Sequence, residues 1–328
     1  MQGVNKNSLL RLAGKFKNKK VLVIGDLMLD EYIWGSVTRI SPEAPIPVVE
    51  VKKEETKPGG AANVILNLIS LGANVYAAGV VGSDPDAERL LDYLKKHGVN
   101  TAAIACDRKR PTTVKTRVFA HSQQVVRIDK EHKMDVHIRT IKEVIKRISK
   151  FIGKIDAVIF SDYDKGMMTK ELVSTVVGMS KGKIIAVDPK PDNIRLFRDV
   201  TLISPNKKEA SEASGINIKT EKDVLAAAKK LKEFTNAEVI MITRGEEGMS
   251  IYEKGSIHTI PTEAKEVYDV TGAGDTAISV ATLALSAGAN FREAAKLSNI
   301  AAGRVVAEVG VAVLTPAELK AAVNEASK

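Results

Sequence analysis

Cysteine is almost absent. Cys106 stands alone among 328 residues, which excludes an internal disulfide and any structural zinc or iron–sulfur site built from several cysteines. Aromatic residues make up only 4% of the chain, and no basic stretch is interleaved with them, so the stacking platform that single-stranded nucleic acid needs is missing. No apolar run approaches the ~18 residues of a membrane span. The longest candidate, residues 277–289, is interrupted by Ser279, Thr282 and Ser286. The segment MQGVNKNSLLRLAG has neither a continuous apolar stretch nor a small-residue cleavage site, so no secretory signal is predicted and the cytoplasm is the expected compartment.

Motifs are missing too. The histidines at 97, 121, 132, 137 and 258 have no metal-ligand spacing, and no H-E-x-x-H, G-x-S-x-G or Cys–His set occurs, which leaves zinc-enzyme and nucleophilic-hydrolase chemistry without support. Neither G-x-x-x-x-G-K-[ST] nor a G-x-G-x-x-G after the first apolar run is present, so ordinary P-loop and dinucleotide-binding readings lose their main evidence.

What is there is a globular balance. With 44% hydrophobic and 27% charged residues, the chain can bury about three quarters of its unfolded surface, and disordered or collagen-like readings fall away. Of the net charge of +9, six positives (Lys6, Arg11, Lys15, Lys17, Lys19, Lys20) fall in the first 20 residues with no acid among them. Interleaved with Leu9, Leu10, Leu12 and Phe16, they predict a short surface helix after an N-cap at Ser8 in preference to a nucleic-acid-binding arm.

Short apolar runs at 21–24, 75–81, 157–160, 184–187, 202–203 and 239–242 alternate with helical periodicity at 61–71, 85–96, 138–151, 170–179 and 221–234, and the end from 274 onward is rich in helix. This rhythm predicts a doubly wound α/β fold with a mostly parallel sheet covered on both faces. Residues 32–51 and 112–129 break it. Their alternating, β-branched pattern predicts antiparallel strands, either a small lid or plain surface hairpins.

Polar and glycine-rich segments punctuate the strand ends. Asp269-Val-Thr-Gly-Ala-Gly-Asp-Thr276 leads into a helix. Free amides and the dipole at such a turn attract a phosphate or developing oxyanion. Asp275 beside them can take a proton from an attacking hydroxyl, or it can simply cap the helix. Pro58-Gly-Gly-Ala-Ala-Asn63 predicts a tight turn into a helix, where Asn63, with Asp26 and Asp30, can bind the hydroxyls of a sugar-like ligand. Asn206-Lys-Lys-Glu209 places two oxygen ligands on one helical turn, suited to hydrated Mg²⁺ and phosphates or to a capping box. Thr243-Arg-Gly-Glu-Glu-Gly248 is another polar strand end, either bordering a nucleotide or forming a turn.

Together Gly59-Gly60…Asn63, Asn206-x-x-Glu209 and Asp269…Gly272-Ala-Gly-Asp275, spread in this order over most of the chain, resemble the ribokinase-like (PfkB-type) sugar kinases. Within that superfamily Gly25-Asp-Leu-Met-Leu-Asp30, Ser41-Pro-Glu-Ala-Pro-Ile-Pro47, Ser161-Asp-Tyr-Asp-Lys-Gly166 and Asp188-Pro-Lys190 look like the D-glycero-β-D-manno-heptose 7-phosphate kinases of lipopolysaccharide-core precursor synthesis.

The resemblance implies a single kinase domain over 1–328, with lid segments near 31–53 and 109–130 that serve a homodimer, and ATP with Mg²⁺ as cofactors. It implies Asp275 as the base acting on an anomeric hydroxyl and Gly272, Ala273 and Gly274 as the anion hole. Asn206, Lys207, Lys208 and Glu209 would serve ATP and magnesium, with Thr243, Arg244, Gly245, Gly248, Asp269 and Asn299 close to the nucleotide. Asp26, Asp30, Gly59, Gly60, Asn63 and Lys190 would face the sugar. Arg110, Lys115, Arg117, Arg127 and Lys190 are the cations available for a distal sugar phosphate.

Bifunctional relatives continue into a nucleotidyltransferase domain with an H-x-G-H signature. The sequence ends at Lys328 without one, so phosphorylation without adenylylation is expected, with no nucleic-acid or membrane partner. The competing expectations are a fructokinase- or ribokinase-like enzyme acting on an unphosphorylated sugar, and a catalytically silent nucleotide- or sugar-binding module.

Overall fold

The computed structural model describes residues 4–121, 123–263, 269–308 and 312–326. In chain order the elements are α1 (Lys6–Ala13), β1 (Lys20–Gly25), β2 (Leu27–Ile40), β3 (Pro47–Gly60), α2 (Ala61–Ser70), β4 (Asn74–Val81), α3 (Pro85–Lys96), β5 (Asn100–Cys106), β6 (Thr113–Ala120), β7 (Gln123–Lys130) and α4 (Ile138–Ile148). There follow β8 (Ala157–Ser161), α5 (Lys170–Met179), β9 (Ile184–Asp188), β10 (Leu202–Ile203), α6 (Lys207–Ser214), α7 (Glu221–Thr235), β11 (Val239–Thr243), β12 (Met249–Glu253), β13 (Ser256–Ile260), α8 (Ala273–Ser286), α9 (Phe291–Val305) and α10 (Pro316–Glu325).

A nine-stranded sheet runs β13-β12-β11-β10-β9-β8-β1-β4-β5. From β11 to β5 every pairing is parallel, and only the β11–β12 and β12–β13 pairings are antiparallel. The centre is β1, where Val21, Leu22, Val23 and Ile24 are all buried. A parallel strand covered on both faces requires such an unbroken apolar run. Leu90, Ile278 and Leu297 of α3, α8 and α9 belong to the core on one face, and Val144, Leu172 and Val224 of α4, α5 and α7 to the core on the other. The doubly wound architecture is the one the alternating runs predict. Two pieces carried too little signal to be anticipated: β5, whose exposed Asn100 and Ala102 dilute its apolar pattern, and the β12–β13 hairpin at the sheet's end.

The chain leaves β1 toward β4 and β5 on one side and returns through β8 to β11 on the other. The order therefore reverses between β1 and β8. At such a switch point the loops diverge and open a crevice beyond the carboxyl ends of the strands.

The two segments that broke the rhythm form a four-stranded sheet, β3-β2-β6-β7. Each hairpin is antiparallel as expected, yet the two join through a parallel β2–β6 pairing. The first hairpin is also longer than the 31–53 predicted. Gly60 and Gly59 pair with Leu27 and Met28 and close β3 instead of forming a free turn. The pair is needed there because a Cβ on Gly59 would lie 2.1 Å from Asp30 Oδ2, and Gly60 has φ +56°.

Helix boundaries differ in three places. Helix α1 is capped by Asn5, not Ser8, whose hydroxyl instead donates to Glu293 Oε1 at 2.6 Å. Its basic residues face outward while Leu9, Leu12 and Phe16 are buried, the surface helix expected of an amphipathic pattern. Helix α4 stops at Ile148, three residues short of Phe151, whose ring packs against Tyr76. Helix α8 begins at Ala273, so Asp275 lies inside its first turn.

Candidate active site

Each candidate segment follows the carboxyl end of a parallel strand or the start of a helix facing that crevice. Gly272, with φ 84°, is the N-cap of α8 and offers no side-chain cap; the Ala273 amide donates to the Val270 carbonyl at 3.3 Å, and the next amides of the first turn, at Gly274 and Asp275, point out of the helix start where an anion can meet them. Only a residue that tolerates the left-handed region suits position 272.

Asp275 does not cap the helix. One carboxylate oxygen accepts a hydrogen bond from the Tyr163 hydroxyl at 2.7 Å, and the other accepts from Asn63 Nδ2 at 2.6 Å. Three distant segments therefore converge on one carboxyl group: α8, the first turn of α2, and the loop after β8. Burial pushes Asp275 up to about 6, while its two hydrogen bonds and the charge of Lys190 oppose that rise and Asp30 adds to it. The Asn63 Oδ1 is buried with no partner among the described residues.

Asp26, the first residue after β1, plays a different part from the hydroxyl acceptor its position suggested. Its carboxylate accepts the backbone N–H groups of Tyr163 (2.8 Å), Lys165 (3.2 Å) and Met167 (3.2 Å), and so clamps the β8 loop across the switch point. Burial holds its carboxyl up at about 6 against those bonds. Asp30, on β2, accepts from Arg117 at 2.5 Å.

The candidate cations divide. Arg117 and Lys190 reach this centre. Lys190 pairs with Glu209, and its ammonium lies 5.6 Å from the centroid of the Tyr163 ring. Arg110 is tied up with backbone carbonyls, donating to those of His132 and Lys165 at 2.7 Å each. Lys115 is paired with Asp129 and Glu131. Arg127 sits one strand further out on β7, half exposed and bonded to Asp129.

On the other side of the α8 turn lies a cavity of about 670 Å³. Ala273, Gly274, Asn206, Lys207, Lys208, Thr243, Arg244, Gly245, Gly248 and Asn299 line it. A parallel bridge from Asn206 to Thr243 joins the two strand ends that form its floor. Asn206 and Glu209 make a complete capping box, each side chain accepting from the other's backbone N–H at 2.9 Å. Arg244 is buried and held by Glu221, Glu247 and Ser250. Asn299 donates to the carbonyl of Pro261 at 2.6 Å. Lys208 reaches out toward Glu212. Asp269 accepts from the amide of Thr271 at 2.9 Å, and its charge acts on Tyr32 of the lid. A second concavity of about 890 Å³ opens at the opposite end of the strands, beside Ile184, Thr201 and Glu238, and none of the candidate residues lines it.

Two residues at the centre were not singled out individually from sequence. Tyr163 completes the hydrogen bonding of Asp275. Asp188, at the end of β9, is desolvated and faced by the carboxylates of Glu209 and Asp275, which together hold its carboxyl well above the ordinary range. The usable signal was a polar run directly after an apolar strand, Ser161-Asp-Tyr-Asp-Lys in one case and Asp188-Pro-Lys in the other.

Comparison with known proteins agrees with this fold. A profile of the pfkB family carbohydrate kinases matches residues 18–318. The chain is 46% identical over 313 residues to a protein named Bifunctional protein HldE from Desulfatibacillum aliphaticivorans, covering 94% of this chain and 64% of that one. It is 44% identical over 305 residues to the protein of the same name from Helicobacter hepaticus, covering 92% and 63%. The chain thus spans less than two thirds of the length of these relatives. Among solved structures, the ribokinase of Arabidopsis thaliana complexed with ribose and ATP superposes with a TM-score of 0.70 at 17% identity, covering 95% of this chain and 99% of that one. Phosphofructokinase-2 from Escherichia coli gives 0.75 at 16%, covering 95% and 100%. At these identities the likeness concerns the fold, which is ribokinase-like.

Proposed function

Since this chain belongs to the pfkB family of carbohydrate kinases, which are ATP-dependent sugar kinases, we propose that its acceptor is the anomeric hydroxyl of D-glycero-D-manno-heptose 7-phosphate. The product is the 1,7-bisphosphate, on the route to ADP-heptose for the lipopolysaccharide core. The observation that carries the catalytic part is the position of Asp275. It is a buried carboxylate, one residue beyond the Ala273 and Gly274 that line the 670 Å³ cavity, and it is held from the opposite side by Asn63 and Tyr163. A base between a nucleotide-sized cavity and a polar crevice is what in-line transfer needs. The heptose part is supported by the segments Ser41–Pro47 and Ser161–Gly166 and by the similarity to the HldE proteins.

In this reading the proton of the sugar hydroxyl passes to Asp275 as its oxygen bonds to the γ-phosphorus of ATP. The bond from that phosphorus to the β–γ bridging oxygen breaks and ADP leaves. The amides at the start of α8, next to the Gly272–Gly274 turn, take up the charge that develops on the transferred group. Asn206, Lys207, Thr243, Gly245, Gly248 and Asn299 border the nucleotide, while Asp30, Asn63, Arg117 and Lys190 face the sugar.

The donors at the start of α6 are oxygens only. Among the described residues no group of three or more His, Cys, Asp or Glu is arranged to hold an ion, which suits Mg²⁺, an ion that keeps its waters and relies on substrate phosphates plus one or two carboxylates. Glu209, with Asn206 beside it, would hold magnesium through water, and the ion would supply positive charge against the nucleotide phosphates.

A homodimer through the lid belongs to the same proposal. It is supported by Ile40, Ile46, Val51, Val125, Val126 and Ile128, which the lid leaves exposed. Sedimentation of wild type against Val126→Lys/Ile128→Lys tests it. A cytoplasmic location follows from the substrates.

The decisive experiment measures ADP release with Mg-ATP and D-glycero-D-manno-heptose 7-phosphate, using wild type and Asp275→Asn, with fructose, ribose and fructose 6-phosphate as comparison acceptors. Heptose-dependent turnover that collapses in the variant is expected. Turnover confined to another sugar would refute the substrate, and undiminished turnover in Asp275→Asn would refute the base.

A further inference from the structure

Tyr163 has so far only held Asp275 in place, and its own placement is fixed from several sides. Its hydroxyl donates to Asp275 Oδ1 at 2.7 Å while Asn63 holds Oδ2 at 2.6 Å, so the carboxylate cannot turn about its Cβ–Cγ bond without breaking both contacts. The loop that delivers the tyrosine is itself locked. Asp26 accepts three of its backbone amides, Asp162 accepts the amide of Asp164 at 2.9 Å, and Asp164 is held at φ 56°. Those anchors join the ends of β1 and β8 across the switch point. A loop with no role would not need a buried aspartate to tie down three backbone amides within five residues.

We propose that Tyr163 is the positioning residue of the phosphoryl transfer, aiming the Asp275 carboxylate at the acceptor hydroxyl. The hydrogen bond it donates also favours the ionised carboxylate. The inference rests on Asp275 being the base. Tyr163 keeps its own proton throughout. The proton from the sugar goes to a free lone pair of the carboxylate, and the phenol remains a donor before and after the step. Desolvation, with the carboxylates of Asp275, Asp188 and Asp30 around it, holds the phenol well above its ordinary range, so it does not ionise at any pH where the carboxylate acts as a base. The other groups acting on Asp275 are Asn63 from α2, Asp30 from β2, and Lys190 and Asp188 from the end of β9. Of these, Tyr163, Asn63 and Lys190 favour the ionised form, whereas Asp30 opposes it.

The test uses the full chain with Mg-ATP and D-glycero-D-manno-heptose 7-phosphate and reads kcat and kcat/KM against pH. Loss of a hydrogen bond to a charged group in Tyr163→Phe is expected to move the acid limb upward by about one pH unit. It should lower kcat about tenfold while leaving KM for ATP within about twofold, because the nucleotide cavity does not include this loop. Replacing Tyr163 by meta-fluorotyrosine keeps the shape and the hydroxyl but makes a stronger donor, so the limb should move the opposite way. This variant keeps the test valid should the phenylalanine disturb folding. An acid limb coincident with wild type in the fluorotyrosine protein, or displaced in the same direction in both variants, would overturn the proposal. Asp275→Asn runs alongside. If it retains turnover, the base itself is wrong and Tyr163 falls with it, whereas an inactive Asp275→Asn beside unmoved limbs removes Tyr163 alone.

Discussion

Asp275→Asn should inactivate the protein and stabilise it. The carboxyl is 6% exposed and burial raises it from 3.8 to about 6. A rise of about two pKa units, at about 1.36 kcal/mol each, means that ionised Asp275 costs the folded state about 3 kcal/mol at pH 8. The folded state binds this proton more tightly than the unfolded chain does. Stability is therefore lost as pH rises from about 4 through about 6, and the full cost is present above that window. An asparagine carries no charge to desolvate, and its neighbours can serve it. The Tyr163 hydroxyl still donates to the amide oxygen, and Asn63 can flip to offer its Oδ1 to the new NH₂ group. Unfolding entropy of about 2.1 cal/mol/K per residue converts about 3 kcal/mol into a rise of about 4 °C in Tm for 328 residues.

Calorimetry at pH 8 and pH 4 is the assay, and the gain should be large at the first and vanish at the second. Asp26→Asn is the control. Its carboxyl is also pushed up to about 6, but its partners are backbone N–H groups that can only donate, so an amide nitrogen facing them gains nothing. An Asp275→Asn protein no more stable than wild type at pH 8, or an Asp26→Asn protein equally stabilised, would refute the reasoning.

Four further outcomes are expected. In wild type, kcat/KM should fall below a pH of about 6 as Asp275 takes up its proton, an acid limb read directly from initial rates. Gly60→Ala should destabilise by about 2 kcal/mol or more by urea titration, because φ is +56° and the new Cβ would meet Met28 Cε at 2.5 Å and Asp26 O at 2.7 Å. Arg117→Met should raise KM for the sugar phosphate by about tenfold and leave KM for ATP unchanged, since Arg117 reaches the crevice through Asp30 and not the nucleotide cavity. Asn206→Ala should cost about 1 kcal/mol through loss of the α6 cap and raise KM for ATP, because Asn206 also lines the cavity.

Much of the architecture was legible because parallel strands and their covering helices write themselves as local periodicity. The runs at 21–24, 157–160 and 239–242 became β1, β8 and β11 almost residue for residue. The strong helix signals at 85–96 and 170–179 became α3 and α5 unchanged. Sequence alone also located the polar segments that the fold gathers, since glycine, asparagine and aspartate directly after an apolar run are visible without coordinates.

What only the tertiary structure decided is which of those residues meet. Asn63, Tyr163 and Asp275 lie 100 or more positions apart in pairs and share one carboxylate because the strand order reverses between β1 and β8. No local pattern encodes that reversal. The same holds for Asp26 and Arg110. Each looked like a ligand group in sequence, and each spends its hydrogen bonds on backbone: Asp26 on amides of the loop after β8, Arg110 on carbonyls of that loop and of His132 and Met134. Gly59 and Gly60 read as a turn because glycine favours turns, yet they end a strand, because a distant strand and Asp30 crowd their Cα atoms. Local chemistry sets each residue's capability, and the long-range pairing of strands sets whether that capability faces a substrate, a backbone amide or another side chain.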